Sequence, residues 1–145
     1  MFKCILVPTD GSPLSDKAVN AAMEFAKEQG AKVVALSVAE PYPFSPLSEV
    51  AFTDERRVYE EKAREVAEQH VQKVQAAANA MNVPCETVVT QSFSPFEEII
   101  NAANMHGCDV IFMASHGRKG LSKLFIGSET QKVLANSTIP VMVFR

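Results

Sequence analysis

Short, dense apolar runs alternate along the chain with longer segments in which apolar residues recur every three or four positions. The short runs cover residues 4–7, 33–38, 86–90, 110–114 and 139–144, and their length and β-branched content predict five strands. The runs at 33–38 and 110–114 are almost continuously apolar. Strands of that kind are covered on both faces, which is typical of parallel sheets.

The longer segments predict four helices. The first ends at Gly30, the second runs from Asp54 to about Met81, the third begins at Ser94–Pro95 and ends near Gly107, and the fourth runs from Ser128 to about Asn136. Ser94 is predicted to cap the third helix ahead of Pro95, and Ser128 with Gln131 fits a capping box for the fourth.

The strict alternation of strand and helix predicts an α/β fold, an open, doubly wound, five-stranded parallel sheet. The 145 residues, 47% of them apolar, fit a single domain covering residues 1–145. The proline-bearing segment from Glu40 to Thr53 is predicted to be a loop.

Composition and charge exclude several classes of protein. A net charge of −3 provides no basic field for nucleic acid. No apolar run approaches the ~20 residues that span a bilayer, and the amino terminus is too short and too weakly basic for a signal peptide. We therefore expect a cytoplasmic protein with no membrane partner.

Three cysteines, Cys4, Cys85 and Cys108, are far apart in sequence and form no C-x-x-C pair. In a reducing compartment such residues are expected to be buried apolar side chains rather than metal ligands or a redox pair.

The stretch 109–130 combines a strand, a glycine-bearing loop and a helix amino terminus, which together suit phosphate binding. Gly117 and Gly127 bracket the loop, and Ser128 and Thr130 add hydroxyl groups. Arg118, Lys119 and Lys123 add positive charge. The alternative is an ordinary strand-to-helix connection with Ser128 as a simple cap.

Ligands of doubly wound sheets bind beyond the carboxyl ends of the strands. The loops after strands one, two and four would converge there. Asp10 would then accept hydrogen bonds from a ribose or a base, and Val38 would form an apolar wall. Alternatively, Asp10 is a turn and cap residue, because the sequence TDGS is typical of turns.

These residues resemble the universal stress protein family, from ILVPTDGS at the start to GSETQKVLANSTIPVMVFR at the end. ATP-binding members have the pattern G-x2-G-x9-G-[S/T] after the fourth strand. Here Gly117, Gly127 and Ser128 are in register, whereas Ala114 replaces the first glycine. The fold implied is Rossmann-like, of the adenine nucleotide alpha hydrolase-like type.

The resemblance implies a set of residues around ATP, which would bind alone or with Mg or Mn. Asp10 would hold ribose or adenine, Pro8 and Val38 would line the base pocket, and Met113 and Ala114 would lie beside the ribose. The triphosphate would be surrounded by His116, Gly117, Gly127, Ser128 and Thr130. For His116, phosphate pairing, general-base action and local packing remain alternatives, with binding or packing favoured.

The function implied is that of a cytoplasmic, stress-related regulator that binds an adenine nucleotide and forms a homodimer through the last strand, Val141–Phe144. The chain has no Walker A sequence and no evident catalytic base, so any ATP hydrolysis is expected to be slow. Ala114 and Glu129 favour the alternative, a nucleotide-independent interaction protein. An adenylyl-transferring enzyme is less favoured, because the signatures of such enzymes are absent.

Overall fold

The computed structural model describes residues 1–43, 54–117 and 126–145, and within these ranges strands and helices alternate. The elements in chain order are β1 (Cys4–Pro8), α1 (Pro13–Gln29), β2 (Lys32–Ala39), α2 (Asp54–Met81), β3 (Cys85–Gln91), α3 (Pro95–Met105), β4 (Val110–Ala114), α4 (Ser128–Asn136) and β5 (Val141–Phe144). The predicted loop from Glu40 to Thr53 lies largely outside the described residues.

The five strands form one parallel sheet in the order β3-β2-β1-β4-β5. The chain first moves outward from β1 to β3, then returns to the other side of β1 and moves outward through β4 to β5. The predicted open, doubly wound α/β sheet is therefore confirmed.

Both faces of the sheet are covered, because successive side chains of a strand point to opposite faces. On β2, Val33 and Ala35 pack in a cluster with residues of α1 and α2, whereas Val34 and Leu36 pack in a second cluster with residues of α3 and α4. All four side chains are fully buried. The almost continuous apolar run at residues 33–38 therefore belongs to a strand that is covered on both faces, as predicted.

α3 and α4 begin where the sequence predicted, whereas the start of β5 and the capping of both helices differ from the prediction. β5 begins at Val141 rather than residue 139, since the Ser137 hydroxyl group folds residues 137–139 into a turn by bonding both the N–H and the carbonyl group of Ile139. The capping box is wrong, because Gly127 rather than Ser128 is the N-cap of α4. Ser94 does occupy the N-cap of α3, but its side chain makes no capping hydrogen bond.

The cysteines agree only in part with the expectation of burial. Cys4 and Cys108 are buried, whereas Cys85, on the edge strand β3, is partly exposed. None of the helices in the three described ranges is both long and apolar enough to cross a membrane.

Candidate functional site

The order of the strands creates one natural binding position. β1 and β4 are neighbours in the sheet, yet the chain leaves β1 toward one edge and β4 toward the other. The loops that follow them therefore diverge and leave a cleft between their starting points, which is the usual ligand position in doubly wound sheets.

A cleft of about 540 Å³ lies at this position, and we call it the switch-point cleft. That volume is within the range of roughly 300–1,000 Å³ that is typical of small-molecule sites. Every residue proposed from the sequence lines it, namely Pro8, Asp10, Val38, Met113, Ala114, His116, Gly117, Gly127, Ser128 and Thr130. Arg118, Lys119 and Lys123 lie outside the described residues.

The loop after β1 is built by short polar contacts. The Asp10 carboxylate accepts a hydrogen bond from the Ser12 N–H group (3.0 Å), which closes an Asx turn. Ser12 is the N-cap of α1, and its hydroxyl oxygen accepts from the Ser15 N–H group (3.2 Å). The prediction that Asp10 is a turn residue is confirmed, whereas the residue that caps the helix is Ser12 rather than Asp10. Asp10 nevertheless remains on the wall of the cleft.

The loops after β1 and β4 meet at Asp10 and Gly117. A β-carbon built on Gly117 would lie 2.9 Å from the Asp10 Oδ2 atom, closer than such contacts are found in proteins. A side chain at position 117 would therefore require the Asp10 carboxylate group to move away. Gly117 and Asp10 thus lie next to each other where the loops after β1 and β4 meet.

Gly127 also lies at a close approach of two backbone segments, where a side chain would require the neighbouring backbone to move by a few tenths of an ångström. Its φ of −59° is accessible to any residue. Its N–H group donates to the Ser115 carbonyl oxygen (2.7 Å), and an added β-carbon would lie 3.1 Å from that same oxygen. Gly127 thus lets the start of α4 pack against the backbone just after β4.

His116 presents an unpartnered nitrogen. Its Nδ1 atom shares a hydrogen bond with the Ser115 hydroxyl group (2.9 Å), which orients the ring. Its Nε2 atom is buried and has no hydrogen-bond partner among the described residues. Because buried polar atoms are usually paired, this nitrogen at the wall of the cleft is a candidate ligand contact.

The amino terminus of α4 opens onto the cleft without a side-chain cap. The first N–H groups of a helix have no intrahelical acceptor, and Gly127 at the N-cap supplies no side chain to them. The Thr130 hydroxyl group donates a hydrogen bond to the Ala114 carbonyl oxygen (2.9 Å), and this bond connects α4 to β4. The Ser128 side chain is exposed.

Ala114, the residue that departs from the glycine pattern, lines the cleft and is 9% exposed. Alternation along β4 places Phe112 in the cluster with α1 and α2 and Met113 in the cluster with α3 and α4. Met113 lines the cleft together with Leu36 and Ile99 of the same cluster.

Glu129 has a structural partner that the sequence did not indicate. Its Oε2 atom accepts a hydrogen bond from the Phe96 N–H group in the first turn of α3 (2.9 Å), and its Oε1 atom pairs with Lys132 (3.3 Å). It therefore caps α3 from the neighbouring helix, in place of Ser94. Both carboxylate oxygens therefore have partners within the protein, while Glu129 itself lines the cleft.

The cleft also contains residues that the sequence analysis missed. The segment after β3 contributes Ser92, Phe93 and Pro95, and the Phe93 side chain is 61% exposed. β3 ends at the same edge of the sheet as the other parallel strands. The sequence could therefore have indicated that the segment after β3 contributes to the cleft. In the described ranges, no group of three or more His, Cys, Asp or Glu side chains is placed to hold a metal ion.

Comparison with known proteins places this geometry in a family. The model of the universal stress protein family matches residues 1–145. A universal stress protein of Thermus aquaticus is 34% identical over 146 residues, and universal stress protein YxiE of Bacillus subtilis is 33% identical over 150 residues; in both cases the match covers 100% of each chain.

Solved structures have the same fold. Universal stress protein MJ0577 of Methanocaldococcus jannaschii superposes with a TM-score of 0.85 at 26% identity, with 99% of this chain and 96% of that one covered. A universal stress protein in complex with cAMP gives a TM-score of 0.71 at 20% identity, covering 99% and 97%. The Archaeoglobus fulgidus protein in complex with dAMP gives 0.65 at 16%, covering 100% and 98%.

The cross-helix cap gives a prediction about stability. Replacing Glu129 with Ala leaves the Phe96 N–H group without its acceptor and should lower the free energy of unfolding by about 0.5–2 kcal/mol, the usual cost of losing a cap. Ser94→Ala is the matched control. We expect it to lower the free energy of unfolding by only a small fraction of the Glu129→Ala loss, since the Ser94 side chain makes no capping bond. Urea unfolding measures both variants. A larger loss in Ser94→Ala than in Glu129→Ala would contradict the assignment.

Proposed function

The chain belongs to the universal stress protein family, and we propose that it binds an adenine nucleotide, ATP in the first instance, in the switch-point cleft. The observation that supports this most is the convergence on one cleft of an apolar wall, a carboxylate and an uncapped helix amino terminus. Two solved family members are complexes with cAMP and dAMP, which favours adenine nucleotides as the ligand class.

The apolar side of the cleft is suited to the base. Pro8, Val38 and Met113 lie at the carboxyl ends of β1, β2 and β4, and Phe93 reaches the cleft from the segment after β3. An exposed phenyl ring next to aliphatic side chains offers a stacking surface for a purine. Asp10, held by its turn, supplies the acceptor for a ribose hydroxyl or a base amine.

The opposite side of the cleft is suited to phosphate. The N–H groups at the start of α4 and the positive end of its dipole favour an anion. The buried Nε2 atom of His116 donates a hydrogen bond to phosphate when it carries the proton. With both oxygens of Glu129 engaged at Phe96 and Lys132, the nearest acidic side chain of α4 is occupied elsewhere.

We propose a regulatory role for the bound nucleotide. The Ser115 hydroxyl group and His116 are hydrogen-bonded neighbours, but the other ring nitrogen of His116 has no carboxylate partner among the described residues, so no Ser-His-acid triad is formed there. Any hydrolysis is therefore slow, and ATP acts as a signal of cellular state in the cytoplasm. Mg or Mn would enter with the phosphates rather than through a protein cluster.

We also propose a homodimer formed through β5. This strand lies at the edge of the sheet and pairs with β4 on one side, and Met142 on it is 44% exposed. An apolar edge strand of this kind readily pairs with a second chain.

Sedimentation equilibrium should give twice the chain mass. Val143→Pro should shift the protein to monomer, because proline removes the backbone N–H donor at that position of the edge strand. A monomer at all concentrations would overturn this part of the proposal.

Calorimetric titration of nucleotide-stripped protein with ATP and magnesium tests the site. Wild-type protein should show saturable binding, and Asp10→Ala should weaken it about 10–150-fold, which corresponds to the loss of a charge-assisted hydrogen bond. Asp10→Asn keeps an acceptor for the Ser12 N–H group and separates loss of charge from loss of the turn.

The control for this titration is Asp16→Ala, an aspartate on α1 that pairs with Lys73 and is not part of the cleft. It should bind ATP as the wild-type protein does. Absence of wild-type binding at millimolar ATP would favour the alternative function, a nucleotide-independent interaction protein.

A second prediction concerns Phe93. Phe93→Ala should weaken ATP binding about 5–150-fold, the range expected from about 1–3 kcal/mol of base stacking, whereas Phe93→Trp should retain it. Competition by inorganic triphosphate, which has no base, should be the same in all three proteins. Equal loss of triphosphate binding in Phe93→Ala would show that the ring supports the fold of the cleft rather than the base.

A further inference from the structure

The fold brings two of the three cysteines into contact at the end of the sheet opposite the cleft. The Sγ atoms of Cys4 and Cys108 are 3.3 Å apart, although 104 residues separate them in sequence. Both side chains are buried, with 7% and 6% exposure. The sequence expectation that the cysteines are unrelated buried residues does not anticipate this contact, since it arises only from the pairing of β1 with β4.

Backbone hydrogen bonds hold the two cysteines in place. The Asp109 carboxylate accepts from the N–H groups of Lys3 and Cys4, and the Asp109 N–H group donates to the Cys4 carbonyl oxygen (2.9 Å). The Cys108 N–H group donates to the Ala103 carbonyl oxygen at the end of α3 (2.8 Å). Both cysteines are thus anchored, and a change in side-chain torsion is the movement left for bringing the sulfur atoms to the bonding distance of about 2.05 Å.

We propose that Cys4 and Cys108 form a redox modification site, in which a hydroperoxide converts the two thiols into an intramolecular disulfide. One thiol, as its thiolate, attacks the peroxide oxygen and gives a sulfenic acid, with water or an alcohol as the leaving product. The second thiol then displaces the sulfenic oxygen as water and forms the S–S bond. In total the thiols lose two electrons and two protons, and the hydroperoxide is reduced by the same amount.

The surroundings of the two thiols make their oxidation slow and favour the disulfide over further oxidation products. Burial raises the pKa of the Cys108 thiol, and the hydrogen bond with Cys4 adds to this effect, while the Lys32 ammonium opposes it. Cys108 therefore carries little thiolate at neutral pH, and its own attack on an oxidant is slow. Once one sulfur atom is oxidised, however, its partner is already in contact and captures it before a further oxidation occurs.

Cys85 provides a control within the same chain. Burial raises the pKa of its thiol as well, but its Sγ atom is directed to the Glu86 carbonyl oxygen (3.6 Å), and no hydrogen bond among the described residues joins it to another cysteine. A thiol of this kind progresses to oxygen adducts or remains reduced. The two environments therefore predict different products under the same oxidant.

The test is treatment of the folded protein with hydrogen peroxide, followed by quenching, alkylation in denaturant without reductant, and mass spectrometry. In the wild-type protein we expect the loss of two of the three alkylatable thiols, reversed by dithiothreitol, and a peptide map that joins Cys4 to Cys108. Cys85→Ser should lose the same pair. Cys4→Ser and Cys108→Ser should form no intramolecular disulfide and should accumulate oxygen adducts on the remaining thiol.

The wild-type peptide map decides the outcome even if a serine variant fails to fold. Three thiols that stay alkylatable after prolonged peroxide treatment would overturn the proposal. So would a disulfide that includes Cys85, or oxygen adducts on Cys4 and Cys108 in place of a bond between them. None of these results depends on nucleotide binding, so the proposal stands or falls separately from the function of the cleft.

Discussion

The parallel pairing of β1 with β4 is the constraint on which the rest of the structure depends. Its register, Ile5 with Val110 and Leu6 with Ile111, places the last residues of the two strands at the same edge. At that edge Asp10 and Gly117 lie so close that a side chain at position 117 would have to displace the Asp10 carboxylate group. At the opposite end, the same pairing brings Cys4 against Cys108. The candidate binding site and the thiol pair are therefore two results of one strand contact.

Several polar residues near the cleft stabilise the architecture, which leaves other groups available to a ligand. The Asp10 carboxylate closes its turn, the Thr130 hydroxyl group ties α4 to β4, and Glu129 caps α3. Because these contacts are made within the protein, they position the surrounding backbone before any ligand arrives. The first N–H groups of α4 have no side-chain cap, and the buried Nε2 atom of His116, a residue that lines the cleft, has no partner among the described residues. Both kinds of group are suited to phosphate.

The sequence predicted the class of fold, and the strand and helix bounds to within about two residues, because continuous apolar runs and three-to-four spacing directly reflect burial. It could not assign the cap of α3, because Glu129 is remote in sequence and reaches Phe96 only after the two helices pack. Phe93 was missed although it follows β3 closely, because only the loops after strands one, two and four were expected to form the cleft. Gly117 and Gly127 both lie at close approaches to neighbouring groups, and the φ of Gly127 is one that any residue adopts.

The central claim is that the cleft between the ends of β1 and β4 is where an adenine nucleotide binds, and amide chemical-shift mapping tests it most directly. Titration of isotopically labelled protein with ATP should move the amide signals of Gly11, Gly117, Gly127, Ser128 and Glu129 most, with small changes along β3 and β5. The same experiment with AMP should reduce the changes at the start of α4 more than those near Asp10. Shift changes confined to β5, to the exposed face of α2, or absent at saturating ATP would contradict the account.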